Sequence, residues 1–111
     1  MNGHVIHAGL EQGGWSRLSL AGQLGNAGSE VGRAMQWRGK NEEFFQGALS
    51  RALELIDLSM RDSRWKTRLK EIARLREVLC DALTGGKEYG VTLEDINRYL
   101  YDFAMIDRAG K

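Results

Sequence analysis

The sequence predicts an all-α protein, an up-down-up-down four-helix bundle with an irregular N-terminal arm. Apolar residues recur at three- and four-residue steps in four separate stretches, which is the spacing of one helix face. No proline interrupts the 111 residues. No segment alternates apolar and polar residues for the length of a strand, and Val5-Ile6 is the only Val and Ile pair outside the helical stretches.

Residues 1 to 15 hold four glycines and no sustained period, so they read as an N-terminal arm ending at Trp15. Residues 16 to 111 then form the bundle domain. The first helix spans about Ser16 to Trp37, with Leu20, Leu24, Ala27, Val31 and Met35 on one face. Arg38-Gly39-Lys40 ends it. Asn41 caps the second helix, whose first turn carries Glu42 and Glu43, favourable against the partial positive charge of a helix start. This helix runs to about Arg61. Asp62-Ser63 restarts the chain within two or three residues, a connection that makes neighbouring helices antiparallel. The third helix spans about Arg64 to Leu83 and closes at Thr84-Gly85-Gly86, because glycine accepts the left-handed conformation of a helix end. The fourth begins at Thr92, with Asp95 placed for a capping box and Val91 and Ile96 for a hydrophobic staple. Its buried stripe is Ile96, Tyr99, Leu100, Phe103 and Ile106. Helices of about 17 to 22 residues measure roughly 25 to 33 Å at 1.5 Å per residue, the dimensions of one bundle.

Composition narrows the function. The chain is 42% hydrophobic and 28% charged with a net charge of +1, which suits a globular domain and gives no global case for nucleic acid or membrane. No apolar run reaches the roughly 18 residues a membrane span needs, and the start lacks the order of a signal peptide, so a cytoplasmic protein is expected. One cysteine, Cys80, excludes an internal disulfide framework and the multi-cysteine zinc motifs. No cofactor is expected.

Three features exceed what a lone bundle needs. Gly25, Gly28 and Gly32, with Ala21, form a small-residue strip on the first helix, at a cost of about 1 kcal/mol per glycine relative to alanine. The strip accommodates either bulky side chains within the bundle or the close approach of a helix from another subunit. The second helix is apolar over more than one face, and Phe44, Leu55 and Leu58 are its candidate homo-oligomer contacts. Arg51 and Arg76 fall inside apolar arcs, where an unpaired charge costs several kcal/mol. They call for acidic partners. Glu30 is the first candidate, followed by Glu54 and Asp57.

Catalytic patterns are sparse. The only histidines, His4 and His7, lie in the arm with Glu11 and no helical third ligand. Glu54 and Asp57 supply half of the paired acidic motif that holds magnesium in all-α nucleotide pyrophosphohydrolases, which makes a magnesium-dependent nucleotide hydrolase the second alternative. The first alternative is an RNA- or DNA-binding accessory protein. Arg64, Lys66, Arg68, Lys70 and Arg74 make a local basic face on the third helix, spaced to meet phosphates without reading bases. Glu77 and Asp81 limit that face to the N-terminal half of the helix.

The runs Leu18–Ala21, Asn26–Ala34, Arg51–Leu58 and Leu75–Leu79 resemble a set of small uncharacterised bacterial and archaeal four-helix proteins. In plan the chain is also similar to proteins encoded in 23S ribosomal RNA intervening sequences and to accessory proteins of diversity-generating retroelements. That resemblance implies a bundle assembling into rings, often pentamers, with basic outer surfaces for nucleic acid or a reverse transcriptase. It carries over no active-site residue, and the near-neutral charge departs from the strongly basic members. The reading that follows is a non-enzymatic, oligomeric scaffold or adaptor for a protein or nucleic-acid partner.

Overall fold

Ser19 opens the first long helix by accepting the Gly22 amide proton on its side-chain oxygen, at 3.0 Å. In this computed structural model, residues 14–109 are described, with side chains described through Met105. The expectations for the arm, including His4, His7 and Glu11, and for Ile106 lie outside that description. Four α-helices and no strand occur among the described residues: α1 (Leu20–Trp37), α2 (Glu42–Arg61), α3 (Leu69–Leu83) and α4 (Leu93–Ala109). The molecule measures 35 × 30 × 25 Å. No described helix is long and apolar enough to cross a membrane.

Two boundaries differ from the sequence reading. Trp15–Arg17 is a separate 3-10 turn and not the start of α1, because Leu18 is extended and Ser19, not Ser16, caps the helix. The third helix likewise begins with a 3-10 segment, Ser63–Arg68, before α3 proper. Asp62 accepts the Arg64 amide proton, and Trp65 leaves helical geometry at φ −103°, ψ 26°, where its indole N–H reaches the Gln23 side chain. The other signals match. Asn41 accepts the Phe44 amide proton at 3.0 Å, and Thr92 and Asp95 exchange side-chain-to-amide bonds at 3.1 and 3.2 Å. Gly39, with φ +79°, lets the chain reverse between α1 and α2.

α1 is the central element, packed along α2 on one side and α4 on the other. Leu24, Ala27, Val31 and Ala34 meet Leu49, Ala52 and Ile56 from α2 and Leu93, Ile96 and Leu100 from α4 in one core. α3 contributes Ile72, Leu75 and Leu79 to it, lies against α2, and meets α4 only sparsely. That sparse contact leaves a gap on the α3–α4 side.

One polar residue sits inside this core. Gln23 occupies an apolar-stripe position between Leu20 and Ala27 and is fully buried. Its amide nitrogen donates to Trp15 O at 2.9 Å and Asp62 Oδ2 at 3.0 Å. Its oxygen accepts from Ser59 Oγ and Trp65 Nε1, both at 2.9 Å. All four hydrogen-bonding positions of the amide are therefore used, joining the 3-10 turn, α1, α2 and the start of the third segment. Trp15 is itself buried, so the end of the expected arm belongs to the core.

Candidate interaction face

The small-residue strip is consumed within the chain. A Cβ on Gly25 would lie 3.0 Å from Ala104 Cα, and one on Gly28 would lie 2.7 Å from Leu100 Cβ. Both glycines let α4 approach α1, so the close neighbour is α4 of the same chain and not a helix of another subunit. Gly32 borders Asn97 in a shallow polar depression that also includes Ser29 and Arg33. The broad arc of α2 is covered in the same way. Leu55 and Leu58 are buried because α2 is flanked by both α1 and α3. Phe44 alone of these six interface candidates is exposed, its ring edge-on to Trp37 with centroids 4.8 Å apart.

The arginines in apolar arcs have carboxylate neighbours. Arg51 Nε lies 3.2 Å from Glu30 Oε1, which also accepts from Arg33 at 2.9 Å. Arg76 takes Asp57 instead, at 2.7 Å, and its Nη1 stands 3.6 Å from the half-buried Cys80 thiol. The hydrogen bond to Asp57 holds the Arg76 guanidinium above its ordinary pKa. Asp57 is thus engaged by an arginine, and no group of three His, Cys, Asp or Glu side chains suited to a metal occurs among the described residues.

The basic run is more neutral than its sequence. Arg64 grips Asp62 at 2.7 Å, donates to Leu18 O at 2.8 Å and lies 4.4 Å over the Trp65 ring. The Arg64 hydrogen bond holds the Asp62 carboxyl well below the usual carboxylate range. Arg68 binds Glu71 at 2.7 Å, and Arg74 approaches Glu77 at 3.9 Å. Lys66 and Lys70 project into solvent without a carboxylate partner among the described residues.

The gap beside α3 is an open groove of about 300 Å³. Leu75 and Ile96 form its buried floor, and Val78, Val91 and the exposed ring of Tyr99 form its walls. Glu71, Arg74 and Asp95 stand at its edges. Tyr99, expected in the buried stripe, instead turns its hydroxyl outward to donate to Glu71 Oε2 at 3.2 Å. Tyr89, from the loop before α4, donates to Glu77 Oε1 at 3.0 Å and lies under the Arg74 guanidinium at 5.6 Å. Two Arg-Glu-Tyr groups result, Arg68-Glu71-Tyr99 and Arg74-Glu77-Tyr89, of which Glu71, Tyr99 and Arg74 line the groove.

These contacts shift the titration of Glu71, Tyr99 and Tyr89. The Arg68 hydrogen bond holds Glu71 below its ordinary pKa, burial raises the Tyr99 phenol, and the bond to Glu77 raises that of Tyr89. At neutral pH both phenols stay protonated and donate to Glu71 and Glu77. Sequence spacing carried a signal for Gln23, a polar residue in an apolar stripe. It carried none for the tyrosine pairs, whose partners are supplied by another helix. Neither a family model, nor a curated protein, nor a solved structure matches the chain.

Proposed function

We propose that the protein is a non-enzymatic scaffold or adaptor, working in the cytoplasm as a homo-oligomer of up-down-up-down four-helix bundles built from residues 16–111. The observation carrying this reading is the apolar groove between α3 and α4, left open beside the core while Leu55 and Leu58 of α2 are covered from within. Contiguous apolar surface rimmed by polar groups marks contact sites on soluble proteins. The carboxylates of Asp57, Glu30 and Glu71 further favour binding over turnover, because each already has a cationic partner. Light scattering across a concentration series tests the reading: a mass above the 12.5 kDa of one chain supports it, and a strict monomer at high micromolar concentration overturns it.

A second reading, an RNA- or DNA-binding accessory protein, is favoured by Lys66 and Lys70, the exposed cations of the basic run that lack a carboxylate partner among the described residues. Replacing both with glutamate should abolish a salt-sensitive gel shift. Retention of the shift removes this reading without touching the first.

A further inference from the structure

We propose, resting on the nucleic-acid reading above, that Arg17, Arg61, Lys66 and Lys70 form one site for the phosphate backbone of a nucleic-acid duplex, at the corner where α2 passes into the third segment. Chain order already places three of these residues near one another. Arg17 joins them only in the folded chain. Arg64 donates to Leu18 O at 2.8 Å, and the Gln23 amide bonds both Trp15 O and Asp62 Oδ2. The 3-10 turn that ends in Arg17 is thereby fastened against the Asp62–Arg64 corner.

The contacts also sort the cations of this corner into two kinds. Arg64 and Arg68 are neutralised by Asp62 and Glu71. Arg17, Arg61, Lys66 and Lys70 are exposed and have no carboxylate partner among the described residues. On a chain of net charge +1 such a patch requires that the two signs be segregated, and α2 shows it. Glu42 and Glu43 open that helix and Arg61 closes it, about 28 Å away at 1.5 Å per residue. A polyanion is drawn to one end of α2 and repelled from the other. Trp65, the aromatic side chain of the corner, has its ring under the Arg64 guanidinium at 4.4 Å and its indole N–H on Gln23. That ring is engaged and does not serve as the stacking platform on which single strands are held. A duplex needs no platform, and it carries one charge per roughly 1.7 Å of axis against about 3.4 Å for each strand. Cations that meet only phosphates position the duplex without reading its sequence.

The experiment is a salt series read by fluorescence anisotropy, with the full chain titrated into a short labelled DNA duplex of mixed sequence. Four phosphate contacts at roughly 0.9 each predict a slope of about −3.6 for log affinity against log salt, or about a 150-fold loss between about 50 and 200 mM. Arg17→Ala and Arg61→Ala should each make that slope shallower by about 0.9. Arg74→Ala and Arg98→Ala remove the same charge from side chains that already face Glu77 and Asp95, and should leave it unchanged. Circular dichroism confirms helicity, and the wild-type slope is a readout that needs no variant. Unlabelled duplex DNA and duplex RNA serve as competitors: equal competition identifies backbone phosphate as the whole of the ligand, and competition by one alone identifies its source.

A salt slope that neither Arg17→Ala nor Arg61→Ala reduces overturns this site and leaves the nucleic-acid reading standing. So does equal or tighter binding to a single strand of the same length. A wild type that binds neither form in a salt-sensitive way overturns both.

Discussion

Among single side chains, Gln23 joins four hydrogen-bond partners from separate parts of the chain. A leucine in its place would match its bulk but leave Trp65 Nε1 and Ser59 Oγ without their partner and take one of two donors from Trp15 O, which keeps the Leu18 amide. Buried polar groups stripped of partners cost about 1–3 kcal/mol each, partly relieved by water reaching the edge of the site. Gln23→Leu should therefore lower unfolding free energy by about 3 kcal/mol, measured as a reduced urea midpoint. An unchanged midpoint would show that the network contributes nothing net. Asp62 gives a separate, pH-dependent signature. Its native carboxyl, bonded first by Arg64 and then by Gln23, titrates below its unfolded value of about 3.9. The stabilisation is fully present above that unfolded value and disappears as pH falls through the native one. Stability of Asp62→Asn should consequently decline less steeply than wild type below about pH 5, and parallel acid titrations of the two proteins would contradict this.

Between helices, glycine acts in two opposite ways, and the structure tells them apart. On α1, Gly28 sits where a methyl group would strike Leu100 Cβ at 2.7 Å, an atom fixed by the α4 backbone. On α2, a methyl group at Gly47 would meet only the tip of Arg51 at 3.5 Å, and that side chain is flexible. Alanine gains about 1 kcal/mol of helix propensity at either site, but overpacking costs about 1–3 kcal/mol where the neighbour cannot move. Gly28→Ala should then lower the thermal midpoint, whereas Gly47→Ala should raise stability by about 0.5–1 kcal/mol. If both substitutions stabilised, α4 would not be pressed against α1 at Gly28. Helix ends follow the same local rules. Ser19, Asn41 and Thr92 each place a side-chain oxygen on an unpaired amide, so the starts of α1, α2 and α4 are set by neighbouring residues.

Across the molecule as a unit, packing is uneven. α1 is clasped by α2 and α4, while α3 rests mainly on α2 and leaves the groove beside α4. Few buried contacts mean that local opening costs little. Amide exchange in dilute monomer should be slowest in the middle of α1 and α2 and faster in α3, with residues 84–92 fastest among the described segments. A uniform exchange rate across all four helices would mean that the uneven packing does not govern opening. The same unevenness leaves the apolar groove open, so the surface offered to a partner and the least constrained helix coincide.

The helical class, the four helical stretches and the caps at Asn41 and Thr92 could be read from the amino-acid order, because these depend on contacts within a few residues of chain. The same order flagged Arg51 and Arg76 as needing acids, with Glu30 and Asp57 among the candidates, since a charge in an apolar arc demands an opposite charge. Which surfaces are covered depended instead on how the helices pack in three dimensions. Gly25 and Gly28 on α1, and Leu55 and Leu58 on α2, look available along a single rod but are covered once α1 and α2 acquire neighbours on two sides. The α3–α4 groove and its tyrosine–glutamate pairs were invisible beforehand for the converse reason. They arise from a spacing between helices distant in sequence, and periodicity along one helix fixes which face is apolar without fixing how far away the next helix stands.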